Sequence, residues 1–349
     1  MDDDALLKYR HIHAGNDTTV PTQGNGVYIV NEGNFMYNNA SLSYYNIEKQ
    51  NVYNDVFYVT NKLPLGDVAH SMAFHDSTGY VVVNNSGKIY CFDMQSFKYT
   101  GKITGLVSPR YIHFIDHNKA YISDLYARSI AVANTRSLTI TGYIDVNNRQ
   151  PHYNTHPTEQ MVSYDRFVFT NCWSNDNKIL VIDTKTDKLV DSIEVPLQPT
   201  ALLLDRFNKL WVLCDGGYAG HSMGNELPAL VKIDAETRLV ERVFRFASHN
   251  PTYDLCTNGT RDTLYYISGA VWQMPVNSKH LPEKPFIEQH QNLFYTLGVD
   301  PVNTDIYVAD AIDYVQAGVV YRFRRDAVPL DTFRVGINPG WFCFKPVIP

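Results

Sequence analysis

The sequence predicts an all-β fold, a seven-bladed β-propeller of four-stranded blades whose ring is closed by the C-terminal strand joining blade one. Three observations predict it. One strand–turn–strand–hairpin–strand segment recurs seven times, its copies are spaced at the period of a propeller blade, and one strand is left over at the end of the chain.

The copies begin at Gly26-Val27-Tyr28-Ile29-Val30, Gly79-Tyr80-Val81-Val82-Val83, Ala120-Tyr121-Ile122-Ser123 and Phe167-Val168-Phe169-Thr170. They continue at Leu210-Trp211-Val212-Leu213, Leu264-Tyr265-Tyr266-Ile267 and Ile306-Tyr307-Val308-Ala309. Each is rich in β-branched and aromatic residues and is bounded by Gly, Asn, Asp or Pro, the marks of a short strand. The clearest hairpin runs from Ile179 to Val190 through Asp183-Thr184-Lys185-Thr186-Asp187, and Leu230 to Val240 repeats it. A shorter strand precedes every copy except the first and often opens on proline, as at Pro109, Pro157, Pro199 and Pro251.

Equivalent positions in these leading strands are read at Ser71, Ile112, Gln160, Leu202, Asp254, Thr296 and Phe342, with spacings of 41, 48, 42, 52, 42 and 46. A propeller blade of four strands takes about 40–50 residues. The first copy lacks a leading strand, and Asn338-Pro339-Gly340-Trp341-Phe342-Cys343-Phe344 supplies a spare one. Closing the ring with it leaves no open sheet edge at the seam. A single propeller domain over residues 24–349 follows, with residues 1–23 as an N-terminal tether. Helices between strands, which a doubly wound or barrel fold needs, are not visible.

Composition narrows the function. The 349 residues carry 30 Lys and Arg against 36 Asp and Glu, a net charge of −6, so nucleic-acid binding through phosphate neutralisation is not expected. No apolar window approaches a membrane span. The five cysteines, Cys91, Cys172, Cys214, Cys256 and Cys343, lie far apart in or beside apolar runs. They read as small buried hydrophobes, and no close pair suggests zinc.

Strand direction sorts the loops. The links into leading strands and the turns between second and third strands share one face, and these are the long, varied, aromatic ones. They bring Phe35, Tyr37, Tyr126, Arg128, Trp173, Asn175, Tyr218, Asp313 and Tyr314 from the turns. The links add Arg110, Tyr111, Glu159, Tyr253, Phe294, Tyr295 and Trp341. Rigid aromatic area interleaved with Asn, Asp and Gly suits a large, mostly neutral ligand bearing amides or hydroxyls. It does not suit phosphate chains, because Lys and Arg are sparse there. The same aromatics also pack between blades, and Asn, Asp and Gly also make turns.

An enzyme reading has its own candidates. Glu32, Asp67, Asp124, Glu159, Asp215 and Asp310 are the acidic groups that would have to converge on a calcium ion in a lactonase-like propeller. Aspartate after a strand is equally ordinary turn chemistry, and no Gly-x-Ser-x-Gly motif is present. His70 and His113 fall in or near leading strands and read as structural. No catalytic residue, catalytic cofactor or metal ligand is therefore assigned.

The stretch from Val181-Ile182-Asp183 to Trp211-Val212 resembles the YncE or surface-layer propeller repeat. Further segments are Gly26 to Phe35, Ser108-Pro109-Arg110-Tyr111-Ile112-His113-Phe114 and Thr158-Glu159-Gln160-Met161, then Leu210 to Tyr218 and Asp310 to Val315. Together, over Gly24 to Pro346, they resemble the BtuG-like surface lipoproteins of gut anaerobes. The resemblance implies a noncatalytic protein exposed on the outer membrane. It implies cobalamin or another corrinoid as ligand and a BtuB-like TonB-dependent transporter as partner. The run Asp2-Asp3-Asp4 would then be the acidic export signal after a lipidated cysteine, the only membrane attachment, with Met1 in the cysteine's place. A same-family propeller binding a glycan or peptide, or the calcium-dependent hydrolase, are the alternatives.

Overall fold

The computed structural model describes residues 25–147, 156–220 and 223–346. The expected tether, residues 1–23, lies outside the described residues. Seven antiparallel sheets are the blades of a β-propeller. They fall into two compact units: one holds the chain up to Gly105 together with Gln289 onward, the other Leu106–Glu288.

Unit one holds blades one, two and seven. Blade one takes its leading strand, Pro339–Phe344, from the C-terminus and continues with Gly26–Asn31, Ser41–Asn46 and Asn51–Tyr53. The seam is in register from Val27 opposite Phe344 to Val30 opposite Trp341. Blade two is Ala69–His75, Thr78–Val83, Lys88–Asp93 and Tyr99–Ile103. Blade seven is Phe294–Val299, Ile306–Asp310, Ala317–Phe323 and Pro329–Ile337. The strand Gly26–Asn31 is buried on both faces. Its even residues Tyr28 and Val30 join Val81, Phe92 and Phe97 of blade two. Its odd residues Val27 and Ile29 join Tyr307, Val320 and Phe333 of blade seven. Period-two alternation thus feeds two cores at once.

A polar network crosses the second of these cores. Arg322 donates to Asp305 Oδ2 from Nε at 3.0 Å and from Nη2 at 2.5 Å, with both residues buried. The Tyr45 hydroxyl donates to Asp331, and its ring stacks on Phe333 at 4.2 Å. One helix, Val56–Asn61, was not foreseen. At six residues it is too short to show a periodicity, and it packs Val56 and Phe57 into the core.

Unit two holds blades three to six in unbroken chain order. Blade three is Pro109–Phe114, Lys119–Asp124, Ser129–Asn134 and Thr139–Asp145. Blade four is Thr158–Tyr164, Phe167–Cys172, Lys178–Asp183 and Lys188–Glu194. Blade five is Pro199–Leu204, Lys209–Cys214, Ala229–Asp234 and Val240–Arg245. Blade six has three strands, Thr252–Thr257, Thr263–Ser268 and Ala270–Pro275. Its fourth position is reduced to a bridge between Val271 and Ile287. Pro275, Pro282 and Pro285 flank that position, and proline has no N–H for a ladder. Trp211 is the largest wholly buried side chain, and its indole N–H donates to Asp205 Oδ2 at 2.9 Å.

The expected hairpins form through turns over residues 184–187 and 235–239, each holding a left-handed residue. Asp187 and Arg238 have φ of 53° and 63°, and their N–H groups return to the carbonyls of Asp183 and Asp234.

Candidate functional site

One backbone hydrogen bond recurs in every blade. The N–H just beyond the second strand donates to the carbonyl just before the leading strand. The pairs are Glu32 to Asn338, Asn84 to Val68, Leu125 to Ser108, Trp173 to Pro157, Asp215 to Gln198, Gly269 to Pro251 and Ala311 to Leu293, all at 2.8–3.1 Å. The two loop sets assigned to one face are therefore tied together in each blade. One or two residue pairs beyond this bond every leading strand carries a β-bulge. The residues left out of register are His70, Arg110 and Tyr111, Glu159 and Gln160, Thr200, Asp254, Tyr295 and Gly340. A bulge re-aims its side chain, and Arg110, Tyr111, Glu159 and Tyr295 of the sequence-derived set stand on one. Counted from the shared bond, Ile112, Leu202 and Phe342 sit one residue beyond Ser71, Gln160, Asp254 and Thr296.

In unit one the bulges frame a polar cluster. The Tyr295 hydroxyl donates to Glu32 Oε2 at 2.7 Å, and His70 Nδ1 is 3.8 Å from Glu32 Oε1. Gly340 makes the space, since a Cβ there would lie 2.5 Å from Glu32 Oε1. The rings of Tyr295 and Tyr314 meet edge to face at 5.8 Å. Asn34 Nδ2 donates to the Tyr314 carbonyl at 2.6 Å, which joins the loops of blades one and seven. Each loop is also fixed from within. Met36 N–H donates to the Asp67 carboxylate at 2.9 Å, and Asn34 N–H to Asn39 Oδ1 at 2.7 Å. Asp313 Oδ1 accepts from the N–H groups of Val315 and Gln316, and its carboxyl is held below the usual range by the Gln316 side chain and N–H.

The tips of these loops face solvent. Phe35 is 64% exposed, Met36 75%, Tyr37 76%, Tyr314 45% and Val315 68%. Met36, Ile312 and Tyr314 hold φ of 70°, 60° and 64°. That conformation is disfavoured for L side chains and most of all for a β-branched one. Trp341 is half-buried and donates to the Met72 carbonyl at 3.0 Å. Phe294 is 1% exposed and packs inside, so it offers no surface to a ligand. Met36 and Val315, which the aromatic pattern passed over, belong to the exposed set.

In unit two the bulges carry an ion pair. Arg110 Nε–H is shared between Glu159 Oε1 at 2.8 Å and Oε2 at 2.9 Å. Burial, then the Glu159 charge, pushes the neighbouring Tyr111 phenol up. His113 Nε2 lies 2.6 Å from Ser163 Oγ, and burial lowers the imidazole to about 4. Tyr126, Arg128 and Tyr218 are exposed on their turns, while Trp173, Asn175 and Tyr253 are half-buried. Trp173 Nε1–H donates to Asp215 Oδ2 at 3.4 Å.

Three of the acidic groups weighed for calcium are engaged in their own turns. Asp124 accepts the N–H groups of Val107, Ser108, Tyr126 and Ala127. Asp310 accepts those of Leu293 and Ile312, and Asp215 those of Gly217 and the Gln198 side chain. Each fixes the turn of its own blade. The five thiols are buried or half-buried, and burial raises each of them.

No curated protein sequence matches the chain. Among solved structures, a quinonprotein alcohol dehydrogenase-like protein from Bacteroides thetaiotaomicron superposes with a TM-score of 0.71 at 15% identity, over 93% of this chain and 78% of that one. Hydrazine synthase from Kuenenia stuttgartiensis gives 0.59 at 14% identity, over 78% of this chain and 88% of that one. At such identities the likeness is one of fold. The family model for the domain of unknown function DUF5074 matches residues 25–326, and the chain belongs to that family.

Proposed function

We propose that the protein is a noncatalytic binding propeller that captures a large, mostly neutral ligand on the aromatic loops of unit one, and that this ligand is a corrinoid such as cobalamin. The observation that carries the reading is the pair of loops joined by the Asn34–Tyr314 bond. Five large apolar side chains stand in solvent there on a backbone held in a strained conformation. Isolated exposed apolar residues need no explanation, but a cluster of them marks a contact surface. Strain that persists because the surroundings enforce it points the same way. Asn38 on the same turn provides an amide able to pair with the amide side chains of a corrin, while the amides of Asn34, Asn39 and Gln316 hold the loops themselves.

The corrinoid itself rests on the resemblance of the loop segments to BtuG-like proteins. So do transfer to a BtuB-like TonB-dependent transporter and a place on the outer membrane. Gel filtration with excess cyanocobalamin, followed at protein and corrin absorbance, tests the cargo. Coelution near one to one is expected. Tyr37→Ala and Tyr314→Ala are each expected to weaken capture by about tenfold, the effect of losing one buried aromatic anchor. A folded protein that elutes without corrin absorbance removes the corrinoid. Binding that survives both substitutions unchanged moves the site away from these loops.

A further inference from the structure

In unit two, His156, Cys172 and Asp176 each point one ligand atom into a common space, with all three atoms within 4.8 Å of one another. We propose that they form a site for a divalent transition metal of the zinc type, bound by imidazole nitrogen, thiolate and carboxylate, with the fourth tetrahedral position left to solvent or a ligand.

The recurrent backbone bond builds the site. Trp173 N–H donates to the Pro157 carbonyl and Cys172 pairs with Thr158, which leaves His156 on the diagonal from Cys172, one residue before the bonded proline. Among the described residues no other blade places metal-ligating side chains at both positions. At the corresponding positions blade five has Cys214 with Leu197, and blade two has Asp67 with Val83. The third ligand comes from the turn that follows. Asn175 takes a left-handed φ of 56° and brings Asp176 back. Asp176 Oδ1 accepts the Asn177 N–H at 2.7 Å, and Oδ2 faces His156 Nδ1 at 2.5 Å.

The donor set selects the metal. Sulfur and imidazole favour zinc and its neighbours over calcium or magnesium, which take oxygen. One thiolate and one carboxylate balance a divalent charge. Bonds of about 2.3 Å to sulfur and about 2.0 Å to nitrogen and oxygen require ligand atoms roughly 3–4 Å apart. The imidazole and carboxylate must therefore part by about an ångström, a movement confined to a turn. Cys172 and Asp176 are buried and His156 stands at the rim.

Cobalt(II) titration of the full metal-free chain tests the proposal. One equivalent is expected to give a thiolate-to-cobalt charge-transfer band with tetrahedral d–d bands, and one equivalent of zinc should displace it. Cys172→Ser should abolish the band, His156→Gln should weaken cobalt binding about tenfold or more, and Cys343→Ser should change neither. Circular dichroism reports whether each variant folds. His156→Gln, at the rim, decides the question if Cys172→Ser does not fold. Absence of stoichiometric binding by the unaltered chain, a band that survives Cys172→Ser, or full affinity in folded His156→Gln overturns the site.

Discussion

Unit one and unit two are built on the same blade frame and use it differently. Unit two reads through its four blades in order, and its leading strands carry side chains that satisfy one another, Arg110 with Glu159 and His113 with Ser163. Unit one is assembled from the two ends of the chain, and its loops hold large apolar side chains away from any core. The frame is a matter of backbone, so it repeats, whereas the groups it presents are a matter of single residues, so they differ blade by blade. A site in such a fold is found by asking what one blade has that its siblings lack.

Four substitutions would break or sharpen this contrast. The largest effect is expected in unit one's buried network. Arg322→Met leaves Asp305 buried without its partner and should lower stability by about 3–5 kcal/mol in urea unfolding. The double variant with Asp305→Leu should recover most of it. Gly340→Ala comes next. Its Cβ collides with the Glu32 carboxylate, and a cost of about 1–3 kcal/mol is expected, with the Glu32–Tyr295 bond displaced.

The third effect is a pH dependence in unit two. His113 has a folded pKa near 4 against an ordinary 6.5, so the unfolded chain binds the extra proton first. Stability is full above about 6.5 and falls as pH drops towards about 4. His113→Asn should flatten melting temperature against pH across that window, and an unaltered slope would refute the assignment. The smallest effect is again in unit one. Tyr37→Ala, at an exposed tip, should leave stability within about 0.5 kcal/mol. A larger loss would mean that the loop supports the fold rather than a ligand.

Much of the fold was legible because blade repetition is a pattern of apolar alternation and turn residues. All seven second strands lie where the copies begin, and Pro339–Phe344 closes blade one as the spare strand required. What escaped was what alternation cannot encode. The backbone bond that aligns the leading strands leaves no mark on composition, so Ile112, Leu202 and Phe342 were read one residue beyond the positions equivalent to the other four. The fourth strand of blade six gives way to prolines that a spacing argument does not weigh. Within their own units, Phe35, Tyr37, Tyr126, Tyr218 and Tyr314 are exposed aromatic turn residues, but Phe294 is not exposed, because it is the first residue of a strand and faces inward. The pairing of Arg110 with Glu159 joins two leading strands 49 residues apart, and the meeting of His156 with Cys172 needs a backbone bond that no local ligand spacing announces.

The seam in blade one also sets a timetable for synthesis. Gly26–Asn31 leaves the ribosome roughly 300 residues before its partner Pro339–Phe344. At about 5–20 residues per second, that is a wait of roughly 15–60 s with one edge of the sheet open. The consecutive strands of unit two have no such delay. Arrest during that interval would leave an unpaired Val27-Tyr28-Ile29-Val30 edge available to other nascent chains, so Pro339–Phe344 acts as the closing clasp of blade one.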